Sequence, residues 1–223
     1  MNERKEILGI RVDCLSAKET MVRTMQFMEN VPVDTIEIIT MEALMNCHGD
    51  ETWMAYAEKQ GMILPGDPEI LDALGIEDAG MRKEVRNRTF LKLFARYLQK
   101  NRKRVFFLAP DESGLEKVMN LLRRSGREMR IAGRAFLNEA DCREEEVVNE
   151  INGTETDCVI SVLPSPYQEL FIGRNQSLMD AKLWIGCGKL TADVEEAGLF
   201  ERGIRLLQKF MFRRQVEKQQ KNN

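Results

Sequence analysis

The stretch RVFFLAPDESGLEKVMNLLRRSGREMRIAG, residues 104–133, decides the fold. Arg104 to Pro110 is a short, unbroken apolar run of the kind buried in a parallel sheet. Glu112 to Gly126 has helical periodicity and stops at a glycine, and Glu128 to Gly133 turns apolar again. Strand, helix and strand in so short a span make a βαβ unit, whose two strands lie parallel in one sheet.

The alternation extends in both directions. Downstream, DCVISVL (Asp157 to Leu163), a helix from about Pro166 to Met179, and KLWIGCG (Lys182 to Gly188) repeat the unit. Upstream, EILGIRV (Glu6 to Val12) reads as a strand. Ser16 to Glu29 reads as a helix, with Ser16 as N-cap and Glu19 completing a capping box. TIEIIT (Thr35 to Thr40) is a further strand, followed by a helix from near Met41. MIL (Met62 to Leu64) runs into Pro65-Gly66-Asp67-Pro68, a turn whose second proline suits the first turn of a helix. Residues 82–100 form one basic amphipathic helix, with Phe90, Leu91, Phe94, Tyr97 and Leu98 on one face. The fold class is therefore α/β: a Rossmann-like, largely parallel sheet flanked by helices.

With 223 residues there is room for one large domain, or a domain with a short appendage. A composition of 43% hydrophobic and 31% charged residues is that of a soluble globular protein, neither disordered nor lipid-embedded. The formal charge of −3 gives the whole chain no pull on nucleic acid, so no nucleic-acid partner is expected. Cys14, Cys47, Cys142, Cys158 and Cys187 are odd in number and form no CxxC pair, which fits reduced thiols in a cytosolic compartment. The sole histidine, His48, has no ligand-spaced neighbour, and no metal site is expected. No secretion signal opens the chain, and no run approaches the ~20 apolar residues of a bilayer span. A cytoplasmic protein is expected.

The charge is uneven. From Leu199 to Asn223 seven cations face two carboxylates, a net +5, which leaves −8 for the first 198 residues. Leu199, Phe200, Ile204, Leu206, Leu207, Phe210, Met211 and Phe212 interleave with those cations, as in a basic helix that lies on an anionic membrane surface. The plain alternative is a solvated helix docked on the core. The chain accordingly divides into an α/β domain over 1–198 and a basic amphipathic helix over 199–223.

Several chemical signatures are absent. Gly186-Cys187-Gly188-Lys189 lacks the residues of a phosphate loop, GxGxxG and GxSxG do not occur, and there is no DxD pair to hold a divalent ion against a diphosphate. What remains is a set of polar residues at strand ends, where open α/β sheets bind ligands. Thr40 closes TIEIIT, Asp67 follows MIL, Ala109 and Pro110 end RVFFLAP, and Ser165 to Glu169 follow DCVISVL. In a parallel sheet they converge on one edge. A carboxylate there takes a proton from a substrate hydroxyl, and hydroxyls with backbone amides hold phosphate oxygens. The plain alternatives are a turn residue for Asp67 and a helix N-cap for Thr40.

These segments together resemble the WecG/TagA/CpsF glycosyltransferases, a bacterial family that builds cell-surface polymers. ILGIRVDCLSAKE is similar to the family's opening strand and helix, IITMEALMNC to its threonine-bearing strand end, and ILPGDPEI to its "LPDG" turn. RVFFLAPDESGLEKVMNLLRR resembles its central βαβ unit, VLPSPYQELFI its "GSPKQE" segment, WIGCGKLTADVEEAG its glycine-rich stretch, and GIRLLQKFMFRR its basic C-terminal helix. The resemblance implies an inverting, metal-independent transferase without a cofactor. It would move an N-acetylmannosamine-like sugar from a UDP-sugar donor to an undecaprenyl-diphosphate-linked saccharide acceptor at the inner membrane face. The protein would then be peripheral on that membrane, and the family allows homo-oligomers. By the same resemblance, Thr40 falls on an active-site threonine, Asp67 lies one place from the catalytic-base aspartate, and Gln168 with Glu169 matches a substrate-binding pair. Arg205, Arg213 and Arg214 fall among arginines that close over the diphosphate.

Several positions depart from the family pattern. The Asp67 carboxylate comes one position late, Glu42 stands in place of an asparagine, Ala109-Pro110 replaces a glycine pair, and Tyr167 replaces a lysine. Asn87-Arg88-Thr89-Phe90 aligns with a "GxDL" motif and lacks its acid. Two rival readings follow: a catalytically silent member that binds a nucleotide-sugar or serves as a scaffold, and an unrelated α/β enzyme acting through Cys187.

Overall fold

A computed structural model describes residues 4–30, 32–123, 128–188 and 199–222. The chain opens with an antiparallel hairpin, β1 (Arg4–Ile7) and β2 (Ile10–Asp13), where the sequence predicts a single strand. Its turn is Leu8-Gly9, both with positive φ (50° and 83°), as two-residue hairpin turns require. Leu8 is apolar and buried, so its turn role is masked in an alternating pattern. Helix α1 (Ala17–Phe27) starts at Ser16 with the expected capping box to Glu19.

Next come β3 (Asp34–Ile39), α2 (Met41–Cys47), α3 (Glu51–Glu58), β4 (Met62–Pro65) and α4 (Pro68–Ala73), whose first residue is the expected proline. The helix predicted over 82–100 is two helices, α5 (Ala79–Arg86) and α6 (Thr89–Lys100). They break at Arg88, which takes a left-handed conformation (φ 53°). Phe90, Leu91, Phe94 and Leu98 of α6 are buried as its periodicity implies, whereas α5 buries no residue.

The central unit is as read: β5 (Arg104–Ala109), α7 (Glu112–Arg123) and β6 (Arg130–Phe136), with β5 and β6 parallel. The glycine expected to end α7, Gly126, lies outside the described residues. Then follow α8 (Glu144–Gly153), β7 (Cys158–Ser161), α9 (Tyr167–Asn175) with a 3-10 turn over Gln176–Leu178, β8 (Leu183–Gly186) and α10 (Leu199–Asn222).

Strands β4-β3-β8-β7-β5-β6 form one six-stranded sheet in which every neighbouring pair is parallel. One face carries Ile36, Val105, Phe107, Ile160 and Ile185 against α1, α6 and α7. The other carries Phe106, Leu108, Val159 and Trp184 against α8 and α9. The hairpin flanks β4, where the buried Asp13 carboxylate accepts the Ile63 N–H at 3.0 Å, so the outer edge of β4 does not stand open. Arg4 and Arg23 pair with the same carboxylate at 3.0 and 3.3 Å.

From Leu207 to Gln219 α10 is described with its side chains. Phe212 and Val216 are buried in an apolar cluster with Met41, Leu44 and Cys47 of α2 and Ile70 of α4. Lys209 pairs with Glu69, and Gln219 accepts the Leu8 N–H at 2.9 Å. This part of the helix is docked, while Leu207, Phe210 and Met211 on it remain exposed. Among the described residues no helix is long and apolar enough to cross a membrane.

Candidate active site

Chain leaves β3 for β4 on one side, whereas its neighbour on the other side, β8, is the last strand of the sheet. Such a reversal of order leaves a crevice at the carboxyl ends of the strands. Thr40 directly follows β3. It caps α2, its Oγ1 accepting the Ala43 N–H at 3.2 Å, and its side chain also forms part of a cleft wall.

That cleft encloses about 450 Å³, its open mouth included, and is bounded by Glu37, Ile38, Thr40, Glu42, Ala43, Asn46, Pro164, Ser165 and Gly188. Thr40, Ser165 and Gly188 come from the ends of three strands, β3, β7 and β8. Glu42 and Asn46 are one turn apart on α2, which turns one face to the cleft.

Asp67 occupies the N-cap position of α4 but makes no cap hydrogen bond to that helix. Its Oδ2 instead accepts the Met41 N–H at 2.9 Å, so Asp67 and Thr40 together satisfy two of the free amides at the start of α2. The side chain is 5% exposed and is not part of the cleft wall. Gly66 explains the displaced order of this turn: its N–H donates to the Ile39 carbonyl at 2.7 Å, and a Cβ would sit 2.6 Å from that oxygen. Only glycine allows so close an approach. The Arg88 guanidinium donates to the Gly66 carbonyl.

Gln168 and Glu169, in the first turn of α9, are both fully buried. Neither lines the cleft, yet each is hydrogen-bonded to residues that do. Gln168 Nε2 donates to Glu37 Oε1 at 2.6 Å, and its Oε1 accepts the Gly188 N–H at 3.3 Å. Ser165 donates its hydroxyl proton to Glu169. The Gln-Glu pair therefore shapes the wall from behind.

The structure adds one residue that the strand-end reading missed, Glu37. It lies inside β3, 2% exposed, on the sheet face toward α9. Burial pushes its carboxyl well above the ordinary range, the charge of Glu169 pushes it further, and the Gln168 hydrogen bond opposes both. Burial likewise raises Glu169, against the Ser165 hydroxyl and the nearby Trp53 indole. Two buried carboxyls so close favour fewer than two charges. The signal was present in TIEIIT, where an acid interrupts a run of strand-forming residues, since an acid is almost never buried without a partner or a task.

The arginines divide. Arg213 and Arg214 are exposed on α10, and the side chain of Arg205 lies outside the described residues. Cys187 is fully buried, its thiol raised by burial, so it has the properties of a packed side chain and not of a nucleophile. Among the described residues no three His, Cys, Asp or Glu side chains are grouped to hold a metal ion.

Compared with known proteins, the chain matches the family model described as "Glycosyl transferase WecG/TagA/CpsF family" over residues 5–202. No curated protein matches it.

Proposed function

The chain belongs to the WecG/TagA/CpsF glycosyltransferase family, and from that premise we propose that it transfers an N-acetylmannosamine-like sugar from a UDP-sugar to an undecaprenyl-diphosphate-linked saccharide. The observation that carries this reading is the meeting of Thr40, Ser165 and Gly188 in one cleft, with Gln168 and Glu169 fixing it from behind.

In the proposed step an acceptor hydroxyl oxygen attacks the anomeric carbon and the bond from that carbon to the UDP oxygen breaks. UDP leaves with the bonding pair, and the hydroxyl proton passes to a carboxylate. Asp67 is the proposed base and Thr40 positions the donor. Inversion follows from a single displacement, and no metal is invoked. Cations then stabilise the leaving diphosphate. Arg205, Arg213 and Arg214 are assigned that part, and the basic helix that bears them is assigned contact with the inner membrane face.

One observation favours a second reading, a silent member that binds a nucleotide-sugar: Asp67 lies outside the cleft wall with Oδ2 engaged by Met41. Calorimetric titration of the full chain with UDP and UDP-sugars, followed by a transfer assay, decides between them. Binding with transfer supports the enzyme, binding without transfer supports the silent member, and no binding removes both.

A further inference from the structure

Glu37 sits where a strand normally places an apolar side chain, and the surroundings are built to keep it there. Its neighbour on β8 is Gly186, paired with it in register. A Cβ on Gly186 would fall inside the Glu37 carboxyl and lie 2.7 Å from Gln168 Nε2. The missing side chain on one strand thus makes room for the acid on the next and for the amide that holds it. Gln168 in turn reaches Gly188, two residues past Gly186, so one hydrogen-bonded chain runs from β3 through α9 to the loop after β8.

That chain satisfies only one oxygen of Glu37. The other, Oε2, is shielded from solvent and has no hydrogen-bond partner among the described residues. Glu37 is also part of the cleft wall. A buried polar atom without a partner is rare and costly, and such an atom on a residue that lines a binding cleft can gain its partner when the ligand arrives. Resting on the transferase reading, we propose that Glu37 contacts the saccharide of the bound nucleotide-sugar, its second carboxyl oxygen hydrogen-bonding to one sugar hydroxyl and thereby selecting the sugar.

The chemistry of the wall favours a saccharide over a phosphate at this point. Glu42 is the second carboxyl lining the cleft, and no lysine or arginine among the described residues lines it; a diphosphate calls for cations, whereas sugar hydroxyls bond to a carboxyl in either protonation state. Burial and the neighbouring Glu169 favour the neutral acid at Glu37, which donates as well as accepts, as a hydroxyl does.

The test is calorimetric titration of the full chain with UDP and with UDP-N-acetylmannosamine, for the wild type, Glu37→Leu and Glu37→Gln. Glu37→Leu is expected to weaken the UDP-sugar about ten- to a hundredfold while leaving UDP within about threefold. Glu37→Gln, which keeps the shape and a donor, recovers most of that loss. Infrared difference spectra of the wild type supply a readout that needs no apolar variant. A protonated-carboxyl band absent from Glu37→Gln should shift on adding the UDP-sugar and not on adding UDP. An unmoved band, or equal losses for both ligands in Glu37→Leu, overturns the assignment of Glu37 alone. A wild type that binds neither ligand overturns the transferase reading and this assignment with it.

Discussion

Asp67 and Met41, the one following β4 and the other opening α2, are joined by a carboxylate that accepts an amide proton at 2.9 Å. The bond ties the turn after β4 to the start of the helix after β3, and it gives the proposed base a structural duty alongside its chemical one. Asp67→Asn keeps an oxygen to accept that proton but cannot take one from an acceptor. The variant should melt close to the wild type while turnover falls by about 10²- to 10⁴-fold with a verified donor and acceptor. Unchanged turnover would assign the base elsewhere.

Glu37 and Glu169 set a pH dependence of stability. Burial raises both in the folded protein, so the native state holds protons that an unfolded chain, with Glu near ~4.3, has released. Their contribution is complete below that value and is lost as pH rises through the folded values. The thermal midpoint should therefore decline as the pH rises above that unfolded value, and Glu37→Gln should flatten the slope. Glu19, lowered by its hydrogen bonds with Ser16, acts only on the acid side of the unfolded value. A wild-type midpoint that climbs over this range contradicts the assignment.

Gly186→Ala places a methyl group where the Glu37 carboxyl lies. Overpacking of this kind typically costs about 1–3 kcal/mol. Urea denaturation should show that loss, with UDP-sugar affinity falling as well because the carboxyl is displaced. Wild-type stability in this variant would mean that the glycine makes no room for the acid.

Iodoacetamide should discriminate among the thiols. Cys142 is exposed and Cys14 half-buried, whereas Cys47, Cys158 and Cys187 are buried. Burial, aided by the charges of Glu169 and Asp50, pushes the Cys47 thiol up to about 12. Mass mapping of the native protein should find label on Cys142 first and none on Cys187 before unfolding. Early labelling of Cys187 would revive the cysteine mechanism.

The exposed face of α10 bears Leu207, Phe210 and Met211, Phe210 with 64% of its surface open, beside the exposed Arg213 and Arg214. Replacing the three apolar residues with serine leaves Phe212 and Val216 in the core. It should abolish salt-sensitive co-flotation with anionic liposomes. Flotation that survives the triple substitution would place membrane contact on another surface.

The alternation of strand and helix was legible because hydrophobic periodicity is local, and α1, β3, β5 and β8 fall where their patterns put them. Two breaks were not legible. Leu8 and Arg88 hold positive φ without being glycine, and neither residue type announces a turn. What stabilises them is distant: the Leu8 N–H donates to Gln219, and Arg88 donates to Gly66.

The site was legible in position and less so in detail. Strand-end logic found Thr40 and Ser165, which line the cleft, and singled out Gln168 and Glu169, which support it. It could not show that Asp67 turns toward Met41, because a one-residue change in a turn redirects a side chain without altering any periodicity. Glu37 lies inside a strand, not at its end, and became a candidate only once the Gln168 contact was visible.

The bond between Leu8 and Gln219 joins positions separated by 211 residues. On a ribosome the first hairpin emerges long before its fastener is synthesised. The amide at that bend and the apolar pocket for Phe212 must wait until α10 has followed. Nascent chains cut short before α10 would display that pocket as an unfinished surface, so this helix serves as the seal by which chains that contain it differ from chains terminated ahead of it.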